Sequence, residues 1–163
     1  MSATPDVSVV VPTYQRAALL GTSLESLLGQ EGVAFEVVVV DDGSTDGTAA
    51  FLAAYPDPRI RPVIRPHGGI AAARNAGVAA ARAPFVAFHD SDDTALAGRL
   101  AVPVAYLQAH PDVDVVIQNG IMLAAEGDAG GGESPWIAPA VARTLAGRAL
   151  GGGAVEPVRW DVG

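Results

Sequence analysis

Two kinds of segment alternate along residues 7 to 118, and this alternation is the feature that most constrains the fold. Val7–Val11 (VSVVV) and Val33–Val40 (VAFEVVVV) are β-branched, apolar runs, typical of strands covered on both faces. The segments between such runs carry leucine or alanine at helical spacing. Strands that alternate with helices of about 10 to 15 residues indicate βαβ units. We therefore predict an α/β fold with a mainly parallel, Rossmann-like sheet and helices on both faces.

The individual elements follow from the same pattern. Strands are predicted at Val7–Val11, Val33–Val40, Ile60–Ile64, Phe85–Phe88 and Val113–Ile117. Helices are predicted at Ala17–Gln30, at a segment capped by Ser44 or Thr45 that runs through Tyr55, at Ile70–Arg82 and at Ala95–His110. Pro12 is expected to end the first strand, and Pro103 is expected to kink or interrupt the last helix.

Beyond Asn119 this pattern weakens. Two glycine triplets, at 130–132 and 151–153, flank a modestly amphipathic stretch at Ile137–Leu150. We expect a loop at the first triplet and poor order over the last dozen residues. The predicted organisation is a main unit over residues 1–119, followed by a truncated or divergent segment over 120–163 that is partly disordered.

The composition excludes several classes of function. The 163-residue chain carries a net charge of -8, which argues against nucleic acid as the main partner. Cysteine is absent, which excludes disulfides, thiolate zinc sites and a cysteine nucleophile. All ten basic residues are arginine, which excludes any mechanism that requires a lysine. The chain shows no apolar run near the roughly 18 residues of a membrane span and no secretory signal, so we expect a cytoplasmic protein.

Polar side chains follow three of the predicted strands. Tyr14 follows the first, Asp42 the second, and Asp90 and Asp92 follow the strand at 85–88. In open α/β sheets the carboxyl ends of parallel strands form the ligand-binding edge. Arg74, early in the next predicted helix, is placed to reach that edge. The sequence therefore predicts one site that combines an aromatic ring, clustered carboxylates and an arginine.

This combination indicates a site for a nucleoside diphosphate. Clustered carboxylates suggest Mg²⁺ or Mn²⁺, held by one or two aspartates while waters and substrate phosphates supply the remaining ligands. A metal shared with a diphosphate neutralises charge that builds up on a leaving group. Tyr14 can stack on a base, and Asp42 can accept a hydrogen bond from a ring N–H.

The same residues also have structural interpretations. Strand-end aspartates often cap helices or form turns, and Asp93 is an equal candidate for capping a helix at Ala95. Tyr14 alone could be a packing residue, and Arg74 could simply pair with an aspartate. The Asp90–Asp92 pair is the hardest to explain by structure alone. A structural role is favoured for five residues: Asp41, Ser44, Asp46, His67 and His89.

Four motifs resemble, in order and spacing, the nucleotide-sugar half of family 2 glycosyltransferases, which have the GT-A fold. They are VSVVVPTYQR, VVVVDDGSTDGT, GGIAAARNAG and FVAFHDSDD. The resemblance extends from about Val7 to Asn119. It implies a metal-dependent inverting transfer of sugar from an NDP-sugar, expected to be a UDP-sugar, to an acceptor hydroxyl on an unidentified glycan, lipid or small molecule.

The resemblance also implies roles for individual residues. Pro12 and Tyr14 would line the nucleobase pocket, and Asp42 would bind the base. Arg74 would lie near the base and diphosphate. Asp90 and Asp92 form the D-x-D element: Asp92 would ligate Mn²⁺ or Mg²⁺ directly, and Asp90 would contact the ribose or the metal. The family commonly has asparagine at the position of His67 and an aliphatic residue at the position of His89, so this chain differs from it at both.

The resemblance does not supply a catalytic base. The family usually takes it from an acidic pair well downstream of D-x-D, and the acids after Asn119 do not form that pattern. The base is therefore unidentified. A non-catalytic nucleotide-sugar-binding fragment or remnant that lacks the acceptor half remains the main alternative.

Two other classes share parts of the pattern. DSDDT, starting at Asp90, also fits the D-x-D-x-T motif of haloacid-dehalogenase-type phosphatases, but that motif normally follows the first strand of its domain. A receiver domain has acids at a strand end and requires a lysine, which this chain lacks. Both are less consistent with the sequence than a glycosyltransferase.

Overall fold

The computed structural model describes residues 4–118, together with 121–122 and 134–135. The chain divides into two units, Met1–Ala105 and Tyr106–Gly163. The predicted domain boundary at residue 119 stays a prediction. None of the helices in the described part of the chain is long and apolar enough to cross a membrane.

The first unit is built on a parallel sheet of four strands. The strands are β1 (Val7–Thr13), β2 (Phe35–Asp41), β3 (Ile60–Ile64) and β4 (Phe85–Phe88). Their order in the sheet is β3-β2-β1-β4, and every neighbouring pair is parallel. The helices are α1 (Ala17–Leu28), α2 (Thr48–Ala53), α3 (Ile70–Ala80) and α4 (Ala101–Ala109), the last of which crosses the unit boundary. The predicted α/β class is confirmed.

Helices cover both faces of this sheet. On one face, Val9, Val11, Val37 and Val39 pack with three leucines of α1 and with Leu52 of α2. On the other face, Val38 and Val40 pack with Ala73 of α3. All residues of β1 and β2 are buried, which explains why both read as continuous apolar runs rather than as alternating ones.

The described residues of the second unit form little regular structure. A short strand β5 (Ile121–Met122) pairs antiparallel with β6 (Ser134–Pro135). The predicted strand at Val113–Ile117 is wrong, because no described strand supplies the ladder of hydrogen bonds that a strand requires. The predictions for Ile137–Leu150 and for the two glycine triplets lie outside the described residues.

Pro12 does not end the first strand as predicted. It is paired with Val40 inside β1, which continues to Thr13. The carbonyl of Val10 accepts a hydrogen bond from the His89 amide and therefore points toward β4. Backbone groups two residues apart in a strand point to the same side, so the nitrogen of Pro12 also points toward β4. The pairing of β1 with β4 stops at Val10, so no ladder bond is lost where proline lacks its N–H.

Two helices begin later than predicted. α2 starts at Thr48 with Gly47 as its N-cap, so neither Ser44 nor Thr45 caps it as predicted; the Thr48 amide and hydroxyl donate to Asp46. α4 starts at Ala101 rather than at Ala95, so Asp93 does not cap it. Pro103 consequently lies in the first turn of α4, where its missing N–H needs no partner, and does not kink the helix.

A glycine fixes the distance between α3 and the sheet. A Cβ added at Gly77 would lie well inside van der Waals contact with the side chain of Val10 in β1. Val10 is fully buried and cannot move aside. Close approach of α3 to β1 therefore depends on the absence of a side chain at position 77.

We expect Gly77→Ala to lower the free energy of unfolding by about 1–3 kcal/mol, because overpacking at Val10 outweighs the gain in helix propensity. Urea denaturation followed by circular dichroism measures the change. Ala79→Gly, the reverse change at an exposed position of the same helix, is the control and should cost about 1 kcal/mol. A stabilised Gly77→Ala variant would contradict the close packing.

A buried ion pair closes the amino end of the sheet. Glu36 of β2, only 6% exposed, accepts from the Ser8 hydroxyl at 2.7 Å and the Arg61 guanidinium at 2.7 Å. The Arg82 amide donates to the same carboxylate at 2.8 Å. Burial alone would raise the pKa of Glu36, but these three donors together lower it below its ordinary value of 4.5.

Replacing Glu36 with Gln is expected to lower the free energy of unfolding near neutral pH by about 1–3 kcal/mol, because the donors lose a charged acceptor. Since the folded-state pKa is depressed, the stability from Glu36 is present above about pH 4.5 and is lost as pH falls through the folded value. The difference between wild type and variant should therefore narrow at about pH 3. Urea denaturation at both pH values measures it.

Glu31→Gln, which changes an exposed glutamate, is the matched control and should leave stability nearly unchanged. A gap between wild type and Glu36→Gln that is equally large at both pH values would contradict the assigned origin of the effect.

Candidate functional site

A cleft of about 380 Å³ lies at the carboxyl ends of β1, β2 and β4. This is the edge at which parallel α/β sheets bind ligands. The cleft is lined by all six residues that the sequence predicted for the site: Pro12, Tyr14, Asp42, Arg74, Asp90 and Asp92. The structure therefore brings these residues together, and their individual roles stay predictions.

The loop after β1 is tied to the loop after β2. Gln15 has a positive φ of 54°, unusual for a residue with a side chain. Its backbone amide donates to the Ser44 hydroxyl at 2.9 Å, and its side-chain carbonyl accepts from the backbone amides of Thr45 and Asp46. These bonds hold Tyr14, 44% exposed, at the mouth of the cleft.

Asp41 and Asp46 support these loops, as the structural interpretation predicted. Asp41 accepts from the Ser44 amide at 3.0 Å and so stabilises the turn after β2. Asp46 accepts from the Ala17 amide at the start of α1, as well as from Thr48. The Ala17 amide first, and the Thr48 hydroxyl second, lower the pKa of Asp46.

Asp42 is the most strongly held acid of the cleft. It is 3% exposed, and its carboxylate pairs with Arg65 and accepts from the amides of Gly68 at 3.0 Å and Gly69 at 2.7 Å. The Nδ1 atom of His67 lies 2.9 Å from Oδ2 of the same carboxylate. These contacts link the end of β2 to the loop between β3 and α3.

Asp42 is therefore ionised at neutral pH. Burial alone would raise the pKa of Asp42, but the amides of Gly68 and Gly69 and the guanidinium of Arg65 outweigh burial and lower it. The carboxylate is thus a fixed acceptor at the bottom of the cleft, oriented before any ligand arrives.

Asp90 and Asp92 each pair with an arginine. Arg74 Nη2 lies 2.9 Å from Asp90 Oδ1, and Arg16 Nη2 lies 3.4 Å from Asp92 Oδ2. All four side chains are between 40% and 50% exposed. Exposed pairs of this kind contribute only about 0–1 kcal/mol each, so both aspartates can exchange their arginine for another cation.

The turn that carries these aspartates is supported from beneath by α1. The Ser23 hydroxyl lies 3.4 Å from the backbone carbonyl of Asp90 and 3.2 Å from Nε2 of His89. His89 is buried, and burial together with the nearby Arg99 lowers its pKa. The structural role predicted for His89 agrees with this position under the turn.

The donor set of the cleft fits a hard divalent cation that is shared with a ligand. Asp90 and Asp92 offer carboxylate oxygens, which Mg²⁺ and Mn²⁺ prefer. Within residues 4–118, three or more histidine or acidic side chains do not gather closely enough to form a metal cage. A cation here would depend on ligand phosphates and water for its remaining coordination positions.

Sequence reasoning missed three residues at this site, of which Arg16 and His67 line the cleft. Arg16 and Arg65 hold two of the predicted acids, and His67, predicted to be structural, stacks on Tyr14 with ring centroids 4.3 Å apart. All three follow the carboxyl end of a strand, so the rule that identified the aspartates applied to them as well.

Comparison with known proteins agrees with this architecture. The family model described as "Glycosyl transferase family 2" matches residues 8–125. The succinoglycan biosynthesis protein ExoO of Rhizobium meliloti (strain 1021) is 50% identical over 97 residues, which are 59% of this chain and 28% of that protein.

Two solved structures share the fold. S. aureus TarS in complex with UDP matches with a TM-score of 0.57 and 28% identity, over 78% of this chain and 38% of that one. The mannosyltransferase PcManGT from Pyrobaculum calidifontis, in complex with GDP-Man and Mn²⁺, matches with a TM-score of 0.54 and 28% identity, over 72% of this chain and 35% of that one.

The chain thus spans less than two fifths of the length of each of these relatives. The matched region contains the entire four-stranded sheet, apart from the first residue of β1, and every residue that lines the cleft. This chain belongs to glycosyltransferase family 2 and has the GT-A fold.

Proposed function

We propose that the cleft binds the nucleotide of a UDP-sugar, with Mn²⁺ or Mg²⁺, as the donor site of a glycosyltransferase. The observation that carries this proposal is the convergence of Tyr14, Asp42, Arg74, Asp90 and Asp92 on one cleft. Two further facts support it: TarS is known in complex with UDP, and PcManGT in complex with GDP-Man and Mn²⁺.

The nucleobase is proposed to bind at the Tyr14 end of the cleft. Tyr14 is exposed and offers a ring face for stacking, and Pro12 lines the same wall. Asp42 is an ionised, oriented acceptor that suits a ring N–H such as that of uracil. The bond is selective for a donor, since an acceptor atom in the same place would be repelled by the carboxylate oxygens.

The diphosphate is proposed to bind between Arg74 and the D-x-D pair. Arg74 would turn from Asp90 to the phosphates, for which its planar guanidinium is well suited. Asp92 would hold the cation, and Asp90 would contact the ribose or the cation. The cation, when bound, neutralises charge that develops on the departing nucleoside diphosphate.

Transfer of the sugar also needs a base for the acceptor hydroxyl. The carboxylates that line the cleft within the described residues are Asp42, Asp90 and Asp92, and all three are assigned to the donor. This favours, as the second candidate, a chain that binds the donor without transferring its sugar. Transfer of labelled sugar from a UDP-sugar to an added acceptor by this chain alone distinguishes the two, and an inverting outcome would show in the anomeric configuration of the product.

We expect Asp92→Asn to abolish metal-dependent binding of UDP while leaving the fold intact, because it removes the direct cation ligand from an exposed position. Calorimetric titration of UDP with Mn²⁺, and again with EDTA, measures this. Asp57→Asn is the control, since Asp57 is also paired with an arginine but does not line the cleft. Undiminished binding in Asp92→Asn would overturn the assignment of the metal site.

Arg74→Gln should raise the Kd for UDP about tenfold and leave the Kd for uridine unchanged, because only UDP carries the charge that the guanidinium recognises. The same titration with both ligands measures the two constants. Arg82→Gln changes an exposed arginine outside the cleft and is the control. Equal losses for UDP and uridine would place Arg74 at the base rather than at the diphosphate.

A further inference from the structure

His67 makes two specific contacts at the base end of the cleft. Its ring stacks on Tyr14, with centroids 4.3 Å apart and planes inclined by 29°. Its Nδ1 lies 2.9 Å from Oδ2 of Asp42 and 3.1 Å from the carbonyl oxygen of Asp42. Both neighbours are acceptors, so Nδ1 carries the hydrogen and donates.

These are the two interactions proposed for the nucleobase. In each case a planar ring stacks on Tyr14 and gives a ring N–H to Asp42. An ionised carboxylate can accept about four hydrogen bonds. Asp42 already has four donors: Arg65, Gly68, Gly69 and His67. A base cannot take its bond to Asp42 until one of these donors leaves.

His67 is the donor that is free to leave. The amides of Gly68 and Gly69 belong to the backbone, and the Arg65 side chain is only 25% exposed. The His67 side chain is 57% exposed and can rotate into solvent. After that rotation the other three donors still hold the carboxylate, so the base finds Asp42 in place.

The backbone conformation at Gly43 allows His67 to lie this close to Asp42. Gly43, which follows Asp42, has φ +81°, and a Cβ at this position would lie 2.8 Å from the His67 amide nitrogen. Glycine thus lets the loop between β3 and α3 lie directly on the turn after β2. The position of His67 is set by this close contact between two backbone segments.

We propose that His67 occupies the nucleobase position in the free protein and competes with the incoming base, so that this residue sets the affinity of the site. The proposal rests on the donor-site function proposed above. A ligand that binds only the open arrangement has an apparent affinity reduced by the fraction of molecules that are open. His67 therefore weakens nucleotide binding, although it lines the binding cleft.

Calorimetric titration of UDP, with Mn²⁺ present, into wild type and His67→Ala tests this. The variant should bind UDP about three- to tenfold more tightly, as expected from removal of one competing hydrogen bond. His110→Ala is the matched control: His110 also stacks on a tyrosine, Tyr106, and also places Nδ1 near a carbonyl oxygen, but it does not line the cleft. It should leave the Kd unchanged.

A nuclear Overhauser contact between the rings of Tyr14 and His67 provides a second measurement. It should be present in the free wild-type chain and lost when UDP binds.

Weaker binding of UDP by His67→Ala would make His67 part of the wall that holds the nucleobase and would overturn the proposed competition. Equal binding would also overturn it and leave the donor function standing, whereas absence of UDP binding in both chains would contradict the donor function itself.

Discussion

The parallel pairing of β1 with strands on both sides is the constraint on which the rest of the structure depends. β1 lies between β2 and β4, and the three strands run in the same direction. Their carboxyl ends therefore meet at one edge, where each leads into a polar loop. Residues far apart in sequence, such as Tyr14 and Asp90, are thereby brought to one cleft. The chemistry of the site is a consequence of strand direction.

Much of this arrangement could be predicted from the sequence, because burial on both faces produces long apolar runs that few other structures explain. Strand direction then placed the acids at one edge. Element ends were predicted less well: α2 begins at Thr48, which donates to Asp46, and Pro12 is tolerated in β1 because the pairing with β4 stops earlier. Both outcomes depend on contacts between segments that no local pattern records.

The same limit explains why Arg16, Arg65 and the contacts of His67 were missed, whereas Arg74 was predicted. A cluster of aspartates is visible in sequence, but the cations that balance it come from other loops: Arg16 from the loop after β1, and Arg74 from α3. The like charge of Asp90 and Asp92 is thus compensated within the protein by pairs weak enough to be exchanged. His67 likewise acquires its position from the contact of its loop with Gly43.

The close contact of Gly77 with Val10 has a consequence for the shape of the ligand. α3 carries Arg74, and β1 leads directly into Tyr14, so the packing of helix on strand fixes the span between the two ends of the cleft. Neither element can slide without a clash or a void. We expect the cleft to discriminate ligands by length as well as by chemistry, because a shorter molecule cannot engage the aromatic ring and the guanidinium at the same time.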